Sequence, residues 1–599
     1  MSAEENRPAP KGEAAPKESG GSAPNNAPGG TGRATATLPS LTFVVREAAE
    51  AFLAGPGMGI ADPAVFESES LRALNAAIAR ANLDGARPKE LKLPFLRELP
   101  RSAVAAGLLH LYRWAVVFPP KSSRRGMLAV YQDSGESEGI YVADPDALRA
   151  YVRRLMPSAD KREADAVLGI LRDDAPRKEV CHDRDLVPVA NGIFDYRSKD
   201  LRSFDPDVVF TAKLRTRLVF DAGNPVIGNG DGTTWDIERQ IEEMSDGDPE
   251  WAEACWRLIG ASVRPNVRWE KAAYLYDEHG ETAKGTLAEL LRGLHGDDSC
   301  SALAMADFGH ARKFRLIELL GKTLNAADEN PVGEFADDLA NFKATVTQDI
   351  VLVEAKNEQP FPLRPTVFNI QCINALPKTK DVSRSARRRQ WFLPFTKSYT
   401  GRANKAIKAD YVRRRAVLEY VLKKVLLDLP DYYELPYLEA GEKVADEARL
   451  VNDNVAQFWS EFADEFVWDL LPTAFLYDFY KAWFARVNPN GRVLNLIEFG
   501  RRLRSVLGEG TGWEYPEQAV RTGNRMDAPE PLIAQYRLED WMNPVYRVQG
   551  GDPNKLCLPV TKPRYRGLVR VTAQPKTITV VNGIPVDLIP PKSTPEEAG

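Results

Sequence analysis

The chain has 599 residues, of which 44% are hydrophobic and 27% charged, so its composition is globular and its length exceeds what one hydrophobic core supports. No stretch approaches the roughly 20 consecutive apolar residues that span a bilayer, and the five cysteines show no metal-binding spacing. A net charge of −5 excludes a globally basic nucleic-acid-binding protein, so any such contact must come from local basic segments such as 384–389. We therefore expect a cytoplasmic protein of several domains, with reduced thiols and no membrane partner.

Composition and periodicity divide the first part of the chain into three regions. Residues 1–38 consist mainly of Ala, Pro, Gly, Ser and Asn, which predicts a disordered tail. An N-terminal α+β domain is predicted for 39–221, where the dipeptide Asn191-Gly192 indicates a hairpin turn between two apolar stretches. The segment 222–235 is rich in Gly and Asn and is predicted to be a linker.

The rest of the chain divides in the same way. The main domain is predicted for 236–431, because short apolar strands alternate with helices from 272 to about 395, which favours a parallel α/β sheet with flanking helices. A small helical domain is predicted for 432–530. A β-rich extension and tail are predicted for 531–599.

The first candidate site follows a short apolar strand at 272–276. Lys284 lies between that strand and a helix-like segment, which is the layout of a phosphate-binding loop, where backbone N–H groups and the ammonium face phosphate oxygens. The loop departs from the pattern G-x-x-x-x-G-K-[ST], because Glu278 and Ala283 replace glycines and Gly285 follows the lysine. An ordinary strand, turn and helix with a solvated lysine fits the same residues. The candidate nucleotide-binding residues are Gly280, Glu281, Thr282, Ala283, Lys284, Gly285 and Thr286.

Polar residues end the next two apolar strands. Asp328 and Glu329 follow the strand 324–327, and adjacent acids at a strand end suit a magnesium-associated carboxylate and a water-orienting glutamate. Asn374 ends the following apolar strand, where its amide could contact the γ-phosphate or the attacking water. A surface acid pair and an asparagine in a turn would give the same pattern.

A basic segment precedes the last strand of the predicted sheet. Arg388 and Arg389 stand directly before the apolar segment 391–395. Arginines in this position could supply a finger that reaches the nucleotide of a neighbouring subunit. A solvated basic turn is the alternative, and the sequence does not choose between the two arginines.

The order and spacing of these four elements resemble the superfamily 3 helicases. The acids lie about 45 residues after the lysine and the asparagine about 45 beyond them. The likeness is greatest to the phage and plasmid primase-helicases related to the poxvirus nucleoside triphosphatase, whose Lys-x-x-x-x-Gly-Asp segment is similar to 343–349, with Gln348 in place of the glycine. The segment 191–195 is similar to the domain that precedes these motors, and 476–499 to the small domain that follows them.

This resemblance implies an AAA+-like P-loop ATPase core with an N-terminal α+β domain and a C-terminal winged-helix-like domain. It implies a homo-hexamer that hydrolyses ATP with Mg²⁺, translocates on DNA and works with a separate primase or polymerase, encoded by a phage or mobile element in a bacterial host. Lys356 would lie on the central-channel hairpin and contact DNA phosphates, unless it is a surface lysine. Thr286 and Asp328 would hold the metal. The implied catalytic residues are Lys284, Asp328, Glu329, Asn374, Arg388 and Arg389.

Three functions stay open on this basis. The first is an ATP-dependent DNA helicase that unwinds DNA as a ring. The second is a ring-forming DNA-binding or replication-initiation protein with little ATPase activity, which the altered glycines of the loop favour. The third is a non-replicative AAA+ regulator, which the flanking elements around Asn191 and Tyr477 disfavour. The ordered stretch before residue 180 is too short for a full primase, so we expect a motor without a primase domain.

Overall fold

The computed structural model describes residues 38–84, 87–119, 126–278, 280–328, 330, 335–336, 339–354, 360–379, 381–401, 404–489, 491–507, 512–547, 552–571, 580–581 and 584–585. The predicted disordered tail, 1–38, lies outside this part of the chain apart from Leu38. Glu329 and Lys356 lie outside it as well.

The first domain packs helices against a four-stranded sheet. Its elements are α1 (Leu41–Leu53), α2 (Pro63–Asp84), α3 (Arg101–Leu111), β1 (Trp114–Phe118), β2 (Met127–Tyr131), β3 (Tyr141–Val142), α4 (Pro145–Leu155), α5 (Lys161–Asp174) and β4 (Arg177–Glu179). The strand order is β3-β2-β1-β4, with β1 antiparallel to β2 and parallel to β4. Asp144 begins α4, because its carboxylate accepts a hydrogen bond from the Ala147 N–H at 2.8 Å.

A three-stranded antiparallel sheet and a two-stranded hairpin follow. Their strands are β5 (Leu186–Val189), β6 (Gly192–Asp195), β7 (Asp200–Arg202), β8 (Ile227–Gly228) and β9 (Thr234–Trp235). The turn predicted at Asn191 joins β5 to β6, and Gly192 is required there because a Cβ atom would lie 2.3 Å from the Arg202 carbonyl oxygen. The segment predicted to be a linker forms the β8–β9 hairpin, and it buries Ile227 and Trp235 in the main core. These strands were not predicted, because Ile227 and Trp235 are far apart in a segment rich in glycine and show no alternation of apolar and polar residues.

The main domain is built on a five-stranded parallel sheet. Its elements are α6 (Ile237–Met244), α7 (Pro249–Ser262), β10 (Ala272–Tyr276), α8 (Lys284–His295), β11 (Cys300–Ser301), β12 (Leu324–Ala327), β13 (Phe335–Ala336), α9 (Ala340–Val346), β14 (Val351–Val353), β15 (Phe361–Leu363), β16 (Phe368–Ile373), β17 (Lys378–Thr379), α10 (Arg384–Arg387), β18 (Gln390–Pro394), α11 (Lys405–Ala409) and α12 (Arg415–Lys423). The order is β11-β12-β16-β10-β18, and every neighbouring pair is parallel, which confirms the predicted parallel sheet.

Both faces of this sheet are covered, as a parallel sheet requires. Ala273 and Leu275 of β10 pack into the core that contains α7, α8 and α12. Ala272 and Tyr274 point to the other face, where they meet a separate cluster that includes Phe308. This alternation along one strand explains why β10 reads as a continuous apolar run.

The strand order places a crevice at the carboxyl edge of the sheet. From β10 the chain crosses to β11 at the far side, whereas from β16 it crosses over β10 to β18. Right-handed crossovers in opposite directions lie on opposite faces of the sheet. The loops that follow β10 and β16 therefore diverge, and the gap between them is where open α/β sheets bind ligands.

The last domain has an aromatic core. The elements of this domain are α14 (Asn454–Phe462), β19 (Leu470–Pro472), α15 (Thr473–Val487), α16 (Leu496–Val506), β20 (Trp513–Glu514), β21 (Val520–Arg521), α17 (Leu532–Gln535), α18 (Pro553–Leu556), β22 (Arg564–Tyr565) and β23 (Gly567–Arg570), and a short hairpin of β24 (Val580–Val581) and β25 (Ile584–Pro585) follows them. Helix α13 (Glu439–Asn452), which precedes them, packs against β18 and contributes Val444 and Ala448 to a core of the main domain. The antiparallel order β19-β23-β20 joins the predicted extension to the predicted helical domain, since β23 is the central strand. Leu568 of β23 is fully buried among the aromatic side chains of that core.

None of the helices in the described ranges combines the length and the apolar character that crossing a membrane demands.

Candidate functional site

The loop lysine and the strand-end asparagine meet at the carboxyl edge of the sheet. The Lys284 ammonium donates to the Asn374 side-chain oxygen, and to the Ile373 carbonyl oxygen at 2.9 Å. These residues are about 90 positions apart in the sequence, and they meet because β10 and β16 are neighbours. The structure therefore brings together two of the predicted site residues in the crevice between the diverging loops.

Asp277 was not among the predicted site residues, and its hydrogen bonds hold the loop in its conformation. Its carboxylate accepts the Gly280 N–H at 2.7 Å and the Thr282 hydroxyl. Asp277 and Thr282 are both buried. The side chain of Thr282, one of the predicted nucleotide-binding residues, thus bonds within the loop itself.

Several residues of the loop adopt left-handed backbone conformations. The φ angle is +80° at Gly280, +54° at Glu281 and +66° at Ala283. Only glycine adopts such angles without strain. Ala283 stands where the phosphate-loop pattern has glycine, so the chain keeps the backbone conformation of that pattern although the glycine is replaced. Gln348, which stands in place of the glycine of the segment 343–349, is also left-handed, with φ +55°.

Helix α8 begins directly after this loop. Ala283 is its N-terminal cap and provides no side-chain hydrogen bond to the first turn. Lys284, Gly285 and Thr286 form that turn and are half-buried. The N–H groups of a first helical turn carry a partial positive charge that attracts anions. The loop therefore offers backbone donors and the Lys284 ammonium at the same place.

Asp328 lies at the end of β12, and its partner is another residue that sequence reasoning missed. The Arg292 guanidinium, two turns along α8 from Lys284, forms an ion pair with Asp328 and donates to the Ala326 carbonyl oxygen at 2.9 Å. Asn330 donates to the Cys372 carbonyl oxygen at 3.1 Å, which ties the acidic loop to β16. The one sequence signal for Arg292 was its position two helical turns after Lys284, which places both side chains on the same face of α8.

These charges all lie within electrostatic range of one buried thiol. Burial raises the pKa of Cys372 in β16 to about 12, and the charges of Lys284, Arg292 and Lys408 act against that rise while Asp328 adds to it. Lys408 belongs to α11 and was not predicted to take part. The cluster thus contains three cations and one described carboxylate.

The metal ligands predicted at this edge are an alcohol and a carboxylate. Within the described ranges no three His, Cys, Asp or Glu side chains form a metal-binding group. Mg²⁺ does not need one, because it is commonly bound by one or two carboxylates together with substrate phosphates. Asp328 and Thr286 fit that donor set, since both stand at the edge where Lys284 lies.

Arg388 and Arg389 lie at the opposite edge of the sheet. The Arg389 carbonyl oxygen accepts the Ala272 N–H at 2.8 Å, at the amino ends of β18 and β10. Arg389 also donates to the Ser385 carbonyl oxygen at 2.7 Å, whereas the Arg388 side chain is exposed. The structure therefore does not bring these arginines to Lys284 of the same chain.

The remaining predicted site residues lie outside the described part of the chain. Glu329 follows Asp328, and Lys356 falls between β14 and β15. These two strands are antiparallel, with Val353 opposite Phe361, so the predicted hairpin is present at its base.

Comparisons with known proteins match two separate regions. Residues 275–389 match a family described as "Family of unknown function (DUF5906)". Residues 451–541 match a family described as "Poxvirus D5 protein-like". The predicted likeness to the poxvirus type is thereby confirmed for residues 451–541 of the last domain. Most of the predicted motifs lie instead in the first match. No curated protein matches the sequence.

Solved structures are similar at low identity. An A-form apo structure of the NrS-1 C-terminal region is 12% identical, with a TM-score of 0.36 over 67% of this chain and 85% of that chain. A second A-form apo structure of the same region is 11% identical, with a TM-score of 0.37 over 74% and 94%. JCV helicase, with a bound thiazolopyridine acetamide, is 12% identical, with a TM-score of 0.19 over 43% and 72%.

Proposed function

We propose, from the premise that residues 451–541 form a poxvirus D5-like domain, that the chain is a nucleotide-hydrolysing DNA helicase of the replicative type. The observation that carries the proposal is the contact between Lys284 and Asn374 at the carboxyl edge of the parallel sheet. A loop lysine and a polar strand end that meet beside a helix N-terminus form a site for a polyphosphate.

Each residue of the carboxyl edge has a role in this proposal. Lys284 and the first turn of α8 bind the β- and γ-phosphates of ATP, which is the proposed cofactor. Asn374 exchanges its contact with Lys284 for one with the γ-phosphate or the attacking water, and Glu329 orients that water. Mg²⁺, held by Thr286 and Asp328, would neutralise phosphate charge when bound. Arg292 holds the Asp328 carboxylate in place at the end of β12.

The amino edge has a role only in an assembly. Arg388 is exposed there, so we propose that it reaches the nucleotide of the next subunit in a homo-hexameric ring. In such a ring the β14–β15 hairpin with Lys356 would contact DNA phosphates. We propose that α14, β19, α15, α16, β20 and β23 form a winged-helix-like domain that follows the motor, a reading that their order along the chain supports. A separate primase or polymerase would complete the replication machinery.

A second function deserves a test because the loop is altered. Glu281 and Ala283 have left-handed φ angles without being glycine, and this strain could accompany a weakened site. The chain would then be a ring-forming DNA-binding protein with little ATPase activity.

One assay separates these two functions. We would measure DNA-stimulated ATP hydrolysis for the natural protein, for Lys284→Ala, and for Lys161→Ala, which removes an exposed lysine of α5 as a control. A motor should lose about 10²-fold or more in kcat with Lys284→Ala, because one preorganised cation is removed from the transition state, and nothing with Lys161→Ala. Equal background rates in all three proteins would exclude the motor and favour the DNA-binding alternative.

A further inference from the structure

Lys408 of α11 lies against the backbone of the phosphate-binding loop. A Cβ atom built on Gly285 would be 2.9 Å from the Lys408 Nζ atom and 3.6 Å from its Cε atom. Gly285 is the residue directly after Lys284, so the Lys408 ammonium approaches the first turn of α8 where no side chain intervenes. The Cys372 thiol is influenced by Lys408 as well as by Lys284, so both ammonium groups lie within electrostatic range of that thiol.

The segment that carries Lys408 is fixed to α8 rather than loosely placed. Arg413, just after α11, forms an ion pair with Glu289 of α8 and bonds both carboxylate oxygens of Asp297 at 2.9 and 3.0 Å. Asn404 caps α11 by accepting the Ala406 N–H at 3.0 Å. Lys408 is therefore held beside α8 through its backbone, while its own side chain stays exposed.

The charges around Lys408 favour an anion. Within the ranges that the structure covers, no carboxylate forms an ion pair with Lys408. A lysine beside a helix N-terminus and near a second lysine is unfavourable by itself, because the helix end already carries partial positive charge. A polyphosphate would satisfy all three groups at once.

We propose that Lys408 is a second phosphate-binding lysine, and that Gly285 is the residue that admits it. This inference rests on the proposed function and names a residue that the phosphate-loop pattern does not contain. A Cβ atom at that position would lie 2.9 Å from the Lys408 ammonium, so this flexible side chain would have to shift away from the first turn of α8.

The test compares ATP binding by Lys408→Ala, Lys408→Arg and Lys405→Ala in the full chain with Mg²⁺. Lys405 lies three residues earlier on the same short helix and is also exposed, so its variant is the matched control. Lys408→Ala should weaken ATP binding about tenfold or more, since a charge-assisted bond is lost. Lys408→Arg should retain most of the affinity, and Lys405→Ala should bind as the natural protein does. A thermal unfolding midpoint unchanged in Lys408→Ala would show that the loss is not a folding defect.

A double-mutant cycle adds a readout that a purely structural role would not change. Gly285→Ala should weaken ATP binding when Lys408 is present and much less in the Lys408→Ala background, because the collision is then removed. Additive effects would overturn the inference. Natural affinity in Lys408→Ala, with binding lost in Lys284→Ala, would overturn the inference and leave the proposed function standing. Failure of the natural protein to bind ATP would overturn both.

Discussion

The two edges of the parallel sheet differ in the chemistry that they carry. At the carboxyl edge Lys284, Asn374 and Asp328 lie within reach of one another or of a shared neighbour. At the amino edge stand Arg388 and Arg389, on the far side of strands only five residues long. Five residues span about 16 Å, which is farther than an arginine side chain extends. One chain therefore holds only part of the predicted catalytic set at a single place.

The two edges also differ in the hydrogen bonding and the exposure of their polar side chains. At the amino edge His295, at the end of α8, is fully buried and bonds the Thr323 hydroxyl at 2.7 Å and the Ser262 hydroxyl at 3.4 Å. Burial lowers its pKa to about 3, so it is neutral. At the carboxyl edge Lys284 is half-buried, and Asp328 and Asn374 are exposed. The contrast indicates that the region around His295 is packed for stability, whereas the polar side chains of the carboxyl edge are accessible to a ligand.

The largest expected effect tests whether the exposed Arg388 of the amino edge contributes to catalysis. Arg388→Ala should lower kcat for ATP hydrolysis by about 10³-fold, because a finger that stabilises transition-state charge is removed. ATP binding by an isolated subunit should be unchanged, since Arg388 lies far from Lys284 of its own chain. Arg389→Ala is the matched control and should have a smaller effect, because the Arg389 guanidinium bonds Ser385 of its own helix.

Mixing two inactive variants tests whether the edges belong to one site. Subunits with Lys284→Ala retain Arg388, and subunits with Arg388→Ala retain Lys284. A mixed ring would contain interfaces where both residues are intact, so part of the activity should return. No recovery in a mixture that demonstrably forms rings would show that the amino edge does not contribute in trans.

How far the sequence predicts this molecule can be seen at the strand ends. Asp328 and Asn374 were predicted because a polar residue directly after a buried apolar strand is a local pattern, and parallel strands place such residues at one edge. Arg292 and Lys408 were not predicted, because their roles depend on the packing of α8 against β12 and of α11 against α8. Apart from the spacing of two helical turns between Lys284 and Arg292, such contacts leave no mark in the sequence.

The last domain shows a second limit of the sequence. Strand β23 was assigned to a separate extension, although it lies between β19 and β20. About 100 residues separate β19 from β23. No tight turn joins such distant antiparallel strands, so the sequence contains no turn motif that predicts their pairing. The hairpin at Asn191, whose strands are adjacent in sequence, was predicted correctly.

A smaller effect tests whether the part of the amino edge around His295 is packed so that the imidazole stays neutral. His295 has a folded pKa of about 3, below the 6.5 of an exposed histidine. The unfolded chain thus binds a proton that the folded chain excludes, and stability is full above pH 6.5 and is lost as the pH falls toward 3. The slope is about 1.4 kcal/mol per pH unit for one such group.

Unfolding of the natural protein and of His295→Gln between pH 7 and pH 4 measures this contribution. The variant should be less stable at pH 7, and the difference between the two should shrink as the pH falls. His182, whose pKa burial lowers to about 4, contributes in the same direction in both proteins and so cancels in the difference. A difference that stays constant with pH would mean that His295 is not excluded from protonation.

The smallest effect concerns strain at the carboxyl edge. Ala283 has φ +66° at the start of α8. A non-glycine residue in this region destabilises the folded state by about 1–2 kcal/mol. Glycine would remove this strain, but its greater entropy in the unfolded chain offsets part of the gain. Ala283→Gly should therefore raise the free energy of unfolding by up to about 1 kcal/mol. Ala288→Gly, at a buried position inside the same helix, should lower it by about 1 kcal/mol or more, since glycine weakens a helix interior.

The opposite signs of two identical substitutions, five residues apart, make the test specific to the loop. Strained residues persist where the surrounding structure fixes them, and they concentrate at functional sites. Here Asp277 fixes the loop through Gly280 and Thr282. If Ala283→Gly destabilises the protein as Ala288→Gly does, the loop holds no strain at Ala283, and the left-handed turn is no sign of a retained phosphate-binding conformation. If it stabilises the protein and ATP binding is kept, the carboxyl edge has retained that conformation without the glycine that usually provides it.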